Sequence, residues 1–166
     1  MTTRAIEALA SRPHASALRI RPLDAGDRLQ VAAMFGRLSP ESLYQRFHSA
    51  GVRVADAILD QVLAGHVLLA ELDGGLVGLA SYHAMPELAR AELAVVVEDG
   101  HQRRGVGKAL CAALSNDARR AGIRHLWAEL LRTNQGMLRL LHSLELPMRQ
   151  SATFDVLQVT LDLQPA

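Results

Sequence analysis

The spacing of apolar residues divides most of the chain into short strands and amphipathic helices. Strands are predicted where apolar and β-branched residues run together or alternate with polar ones: Leu18–Pro22, His66–Leu72, Leu76–Met85, Ala91–Val97, Arg124–Leu131, Met148–Ser151 and Phe154–Leu163. Helices are predicted where apolar residues recur every three or four positions: Asp24 to about Arg37, Ser39 through Phe47, Val54–Ala64, Gly105–Ala121 and Asn134–Leu144. This order predicts an α+β fold with a mixed, mainly antiparallel sheet. We expect one domain over residues 18–166, after a loosely ordered lead-in at 1–17.

Residues 92–114 carry the clearest chemical signal. They read ELAVVVEDG and then HQRRGVGKALCAAL, so an apolar strand leads through a polar turn into a helix. A helix start leaves backbone N–H groups without partners and carries partial positive charge. Gly105 and Gly107 keep the approach to those groups free of side chains. Three basic side chains add positive charge: Arg103, Arg104 and Lys108. The segment therefore predicts a site for a phosphate or pyrophosphate.

The spacing of this loop excludes two common phosphate motifs. Gln102 stands where a P-loop has its first glycine, and Leu110 stands where the dinucleotide fingerprint has its third. The loop instead matches Q/R-x-x-G-x-G/A, and here the chain resembles the GCN5-related N-acetyltransferases (GNAT), whose motif of this form cradles the pyrophosphate of acetyl-CoA. The resemblance assigns cofactor binding to seven residues: Gln102, Arg103, Arg104, Gly105, Val106, Gly107 and Lys108. The alternative is an Arg-rich helix start that only solvates the surface.

The resemblance covers nearly the whole chain after residue 17 and implies the GNAT fold. In that fold the strand before the loop and the strand after the next helix run parallel and splay apart, and the pantetheine arm lies in the gap. The main chain of Val95 and Val97 would pair with the pantetheine amides; otherwise these residues are plain sheet core. Asn134 is either a cofactor contact or a helix cap. The family commonly has a tyrosine acid where this chain has Leu141, so that role is not transferred.

A narrower resemblance lies near the start of the chain. LRIRPLDAGD and LSPESLYQRFHS look like the acetyltransferase domain of bacterial Pat-type protein lysine acetyltransferases, and the helix after Ser39 would wall the acceptor site. That group carries a glutamate on the strand before the phosphate loop, at the position of Glu92. An ammonium must lose a proton before it attacks a thioester, and partial burial in a strand should strengthen Glu92 as that base. Otherwise Glu92 pairs with Arg90, and Glu129 is the second candidate base.

Composition narrows the class of protein without naming a substrate. The 49% hydrophobic and 21% charged residues suit a globular domain, and the net charge of +1 gives no argument for nucleic acid or an anionic membrane. No apolar run is long enough to span a bilayer. Cys111 is the only cysteine, which favours a cytoplasmic protein in which this thiol is buried filler. The histidines show no metal-ligand spacing, so no metal site is expected.

These observations predict an acetyl-CoA-dependent N-acetyltransferase that acts by direct attack in a ternary complex. The acceptor is a primary amine, of a protein lysine or of a small molecule, and a homodimer is left open. Two other classes remain as alternatives. A non-catalytic acyl-CoA sensor would keep the loop but lack a usable base, and an interaction module would use the loop to bind only a partner's phosphate.

Overall fold

The computed structural model describes residues 17–164, in which seven strands form one sheet in the order β1-β2-β3-β4-β5-β7-β6. The strands are β1 Arg19–Pro22, β2 His66–Leu72, β3 Gly75–Met85, β4 Arg90–Val97, β5 His125–Leu131, β6 Met148–Thr153 and β7 Val156–Asp162. The helices are α1 Arg28–Gly36, α2 Pro40–Phe47, α3 Asp56–Leu63, α4 Val106–Arg120 and α5 Gln135–His142. Short 3-10 turns span Ala25–Asp27, Pro86–Leu88 and Asp99–His101. The predicted lead-in lies outside the described residues, except for Ala17.

The predicted elements all exist, with shifts at their ends. The helix expected from Asp24 begins as the 3-10 turn, because Asp24 caps that turn and Asp27 closes a capping box with it. The last strand begins at Val156 instead of Phe154, since Phe154 has a φ of 46° in the hairpin turn. Among residues 17–164, no helix is both long and apolar enough to cross a membrane.

The sheet is antiparallel except between β4 and β5, which are parallel. These two strands pair only from Arg90 with His125 to Glu92 with Trp127. Beyond that point β4 continues against β3 to Val97, while β5 continues against β7 to Leu131. The two strands therefore splay apart toward their carboxyl ends, as the resemblance implies, and leave a gap in the middle of the sheet.

Each face of the sheet packs against its own helices. One core contains α4 and α5 residues with Leu93 of β4, and the other contains α1, α2 and α3 residues with Val96 of β4. Because side chains alternate along a strand, Glu92 and Ala94 share the face of Val96 and lie on the α2 side. Cys111 is fully buried on α4, and burial raises the pKa of its thiol to about 12, so it is inert filler as predicted.

Candidate active site

The phosphate loop joins β4 to α4 through the 3-10 turn at Asp99–His101. Gly105 occupies the N-cap position of α4 with a φ of 84°, and Arg103 also has a positive φ of 57°. The first backbone hydrogen bond of the helix runs from the Ala109 N–H to the Gly105 carbonyl, at 3.0 Å. The N–H groups at the start of α4 precede this bond, and no side chain caps them. The strand–loop–helix context therefore leaves a concave row of donors for an anion.

The two loop glycines are present for different physical reasons. At Gly105 an added Cβ would meet nothing within 4 Å, so the positive φ is the requirement there. At Gly107 an added Cβ would lie 3.1 Å from Cδ2 of Leu140 on α5 and 3.7 Å from Val97. The sequence explanation of Gly107 as space for a ligand is therefore incomplete, because this glycine also lets α4 pack closely against α5.

The predicted cofactor residues contribute different groups. Arg103, Arg104 and Lys108 are exposed, and Arg103 and Lys108 line the cleft described below. The side chain of Val106 is only 3% exposed and belongs to the core, which leaves its main chain for a ligand. Val106 thus anchors the start of α4 in the core, while the three basic side chains surround the start of α4 on its solvent side.

Gln102 anchors the loop to the elements beside it. Its Nε2 donates to the Val97 carbonyl at 3.1 Å and contacts Oγ of Ser42 at 3.2 Å. The Glu98 N–H donates to the Val77 carbonyl, and hydrogen bonding alternates along an antiparallel pair. The N–H and C=O groups of Val95 and Val97 therefore point away from β3 and toward the gap. This is the orientation that pairing with an extended ligand requires.

Asp99 holds the start of α2 against the loop. Its carboxylate accepts hydrogen bonds from the Ser39 N–H at 3.0 Å, the Ser39 hydroxyl at 2.6 Å and the Ser42 hydroxyl at 2.8 Å. Burial alone would raise the pKa of Asp99, but these hydrogen bonds lower it below its ordinary value. Asp99 therefore joins two walls of the site, the phosphate loop and α2.

A cleft of about 950 Å³ occupies the gap between β4 and β5. It runs from the phosphate loop past Val95 to Glu92, and α2 and the start of α5 form its sides. On β5, Leu126, Ala128 and Leu130 belong to the core under α4, so Trp127 and Glu129 face the α2 side with Glu92. The cleft thus joins a donor-rich end near the loop to an end that carries carboxylates.

Glu92 lies where the two strands begin to separate. It is exposed, so the expectation of a partly desolvated carboxylate is wrong: the splay opens the sheet to solvent beside it. The alternative pairing with Arg90 is also not observed, because the Arg90 guanidinium lies 5.6 Å from the centre of the Trp127 ring. Among residues 17–164, Glu92 has no hydrogen bond or ion pair, which leaves its carboxylate available to a ligand.

Glu129, the second candidate base, has a neighbour. Its Oε1 lies 4.0 Å from Nδ1 of His48, and its side chain is 42% exposed. It lines the same cleft as Glu92. Both carboxylates can therefore reach an acceptor, but only Glu92 lies at the last paired position of β4 and β5, where the cleft begins.

Asn134 caps α5, since its Oδ1 accepts from the Met137 N–H at 2.9 Å. The hydrogen bond confirms the cap interpretation. Asn134 also lines the cleft, and its contact with a ligand stays a prediction.

Leu141 is 1% exposed in the core, and Nε2 of His142 lies 3.4 Å from Nε2 of Gln150 on β6. In the part of the chain that the structure describes, no cluster of His, Cys, Asp and Glu side chains is arranged to hold a metal.

Sequence reasoning missed Arg46, which lines the cleft from α2 and interacts electrostatically with Glu92. Its position follows Ser42 by four residues, and residues four apart share one face of a helix. Because Ser42 already contacts the loop, the spacing could have placed Arg46 in the cleft. The missing information was that α2 lies against β4.

Comparisons with known proteins agree with this geometry. The family model described as the acetyltransferase (GNAT) family matches residues 32–145. Acetyltransferase PA5475 of Pseudomonas aeruginosa is 32% identical over 127 residues, which cover 71% of this chain and 68% of that protein.

Solved structures show the same fold. The GNAT domain of S. lividans PAT superposes with a TM-score of 0.79 at 26% identity, covering 87% of this chain and 90% of that one. The yncA protein of Salmonella typhimurium, solved with its cofactor acetyl-CoA, gives 0.68 at 25% identity and covers 90% of this chain and 96% of that one. With a matching family model, a similar acetyltransferase and the splayed sheet, this chain belongs to the GNAT family of acetyltransferases.

Proposed function

We propose that this chain transfers the acetyl group of acetyl-CoA to a primary amine by direct attack, with Glu92 as the base. The observation that carries the proposal is the continuous cleft from the donor row of the phosphate loop to the unpaired carboxylate of Glu92. The pyrophosphate would bind the helix start, and the pantetheine would extend along the main chain of Val95 and Val97.

The chemistry follows from the groups at the end of the cleft that contains Glu92. Glu92 takes a proton from the bound ammonium, and the amine nitrogen then attacks the thioester carbon. A backbone N–H near Val95 would stabilise the oxyanion. The nitrogen of the tetrahedral intermediate loses its second proton to solvent, and the carbon–sulfur bond breaks. The CoA thiolate leaves and takes its proton from water, because Leu141 is buried and has no proton to donate. Direct transfer is favoured over an acyl-cysteine route because the only thiol, Cys111, is sealed in the core.

Both a protein lysine and a small-molecule amine present the required group. The test is a panel of lysine peptides and small amines incubated with acetyl-CoA, with acetylated products identified by mass spectrometry. We expect an acetylated amine and free CoA. Binding of acetyl-CoA without any acetylated amine would favour the sensor alternative.

Replacing Gly105 with alanine should weaken acetyl-CoA binding about tenfold. A left-handed conformation costs an alanine roughly 1–2 kcal/mol, so the free loop would relax out of it and binding would have to restore it. Calorimetry on the variant measures this change. Gly100→Ala is the matched control, because Gly100 has open space around it and no positive φ. Equal affinities for the two variants would contradict the role of the Gly105 conformation.

Replacing Arg104 with alanine should raise the KM for acetyl-CoA a few-fold with less effect on kcat. An exposed charge contact is worth about 0.2–1 kcal/mol, and loss of uniform binding appears in KM. The salt dependence of binding should also decrease. Titration with CoA and dephospho-CoA identifies the phosphate concerned. If wild type binds CoA and dephospho-CoA equally well, Arg103, Arg104 and Lys108 do not bind the 3′-phosphate.

A further inference from the structure

Several charged side chains that line the cleft already have partners within the protein. These contacts are Glu41 with Gln45 at 2.7 Å, Asp99 with Ser39 and Ser42, and Glu129 with His48 at 4.0 Å. Arg46 and Glu92 differ from them. Within residues 17–164 neither has a hydrogen bond or an ion pair, and their nitrogen and oxygen atoms stay more than 4.0 Å apart.

The Arg46 guanidinium is in an unusual environment for an unpaired charge. The Arg46 side chain is half-buried on α2, its Nε is buried without a hydrogen-bond partner, and its guanidinium lies 4.9 Å from the centre of the Phe47 ring. Burial lowers the pKa of Arg46, and the charge of Glu92 opposes that effect. A buried charge without a partner is costly, so this position favours binding of an anion from outside the protein.

Trp127 provides a second unpaired donor in the same region. It stands beside Glu92 in the register of β4 and β5, and its buried Nε1 has no hydrogen-bond partner. A small acceptor bound beside Glu92 would therefore meet that carboxylate, the Arg46 guanidinium and the aromatic wall of Trp127. Together these groups complement a molecule that carries both a positive and a negative charge.

We propose that the acceptor is a small amine that also carries a carboxylate, with its ammonium at Glu92 and its carboxylate at Arg46. This inference rests on the proposed function and names its substrate class. In the reaction one proton of the ammonium goes to Glu92, the amine nitrogen forms the amide bond, and the carbon–sulfur bond of the thioester breaks as the CoA thiolate leaves. The carboxylate keeps its charge and its contact with Arg46 throughout. A lysine within a peptide lacks a free carboxylate and offers Arg46 no such partner.

The test compares free amino acids with their carboxamides, which keep the amine but remove the negative charge. A hydrogen bond to a charged group is worth about 1.5–3 kcal/mol, so wild type should prefer the acid by about 10- to 100-fold in kcat/KM. Arg46→Gln should abolish most of this preference, and Arg46→Lys should keep part of it. Arg139→Gln is the matched control, since Arg139 is an exposed arginine in the same cleft, and it should leave the ratio unchanged.

A measurement on wild type alone covers the case in which an Arg46 variant does not fold. A carboxylic acid that lacks the amine should inhibit competitively against the acceptor, whereas the corresponding amide should not. Equal rates on acid and amide, or faster acetylation of lysine peptides than of every amino acid, would overturn the inference alone. If acetyl-CoA binds and no amine of any kind is acetylated, the proposed function fails and the inference fails with it.

Discussion

Replacing Glu92 with glutamine should lower turnover about 10²–10⁴-fold, the usual contribution of a general base. Glutamine keeps the size of the side chain but cannot accept the proton of the acceptor ammonium. The affinity for acetyl-CoA should barely change, because Glu92 is assigned to the acceptor. Steady-state rates with a saturating acceptor and calorimetry with acetyl-CoA measure the two effects separately.

The dependence of this effect on pH gives a second readout. Wild type should lose activity as the pH falls, as expected of a reaction that needs a general base, and Glu92→Gln should lack that acidic limb. Glu129→Gln is the matched control, because Glu129 is a carboxylate in the same cleft and its Oε1 lies 4.0 Å from Nδ1 of His48. If Glu129→Gln loses turnover and Glu92→Gln does not, the base is on β5 instead of β4.

Replacing Asp27 with alanine should lower the free energy of unfolding by about 3 kcal/mol. Asp27 is 5% exposed and forms two hydrogen bonds with the Arg21 guanidinium, at 2.6 and 2.7 Å, which join β1 to the turn before α1. Its removal leaves the largely buried Arg21 charge with two remaining partners, the Glu71 carboxylate at 2.7 Å and the Pro22 carbonyl at 3.1 Å. Urea unfolding at neutral pH measures the loss.

An exposed ion pair provides the control for this stability prediction. Asp60 contacts Arg28 at 2.6 Å, but the two side chains are 67% and 39% exposed. Exposed pairs contribute about 0.2–1 kcal/mol, so Asp60→Ala should have a much smaller effect than Asp27→Ala. Similar losses in the two variants would show that the Arg21–Asp27 pair does not stabilise the protein as its burial implies.

The same pair makes stability depend on pH. The hydrogen bonds from Arg21 lower the pKa of Asp27 from 3.8 to about 2, with burial opposing them. A carboxyl group whose pKa is lower in the folded state stabilises the protein above the unfolded pKa, and that stabilisation is lost as pH falls through the folded value. Wild type should lose about 2 kcal/mol from this group between about pH 4 and pH 2, and Asp27→Asn should not.

Periodicity and motif spacing predicted the strands of the sheet and the loop at residues 102–107, whereas the splay was expected only from the resemblance to the GNAT family. The strands and the loop depend on local patterns: an apolar strand, a turn, and glycines at a helix start. Gly105 lies at the start of α4 as predicted, but its positive φ is a backbone requirement that the sequence explanation did not include. Gly107 illustrates the limit, because its close neighbour Leu140 lies on a helix that is distant in sequence.

The acceptor end of the cleft was harder to predict because it depends on contacts between distant elements. Glu92 was identified by resemblance, but its exposure depends on the point at which β4 and β5 separate. Arg46 and Asp99 gain their roles only when α2 lies against β4 and the loop. No single-sequence pattern specifies that packing, so Glu92 could be singled out as a candidate while the groups around it could not.

The most direct test of the proposed direct transfer is a stoichiometric experiment with acetyl-CoA, the protein and a reactive amine from the acceptor panel. Intact-protein mass and free CoA thiol are measured before and after the amine is added. We predict an unchanged protein mass throughout, and one thiol released for each acetylated amine. Thiol release with an acetylated protein before the amine is added would contradict direct transfer.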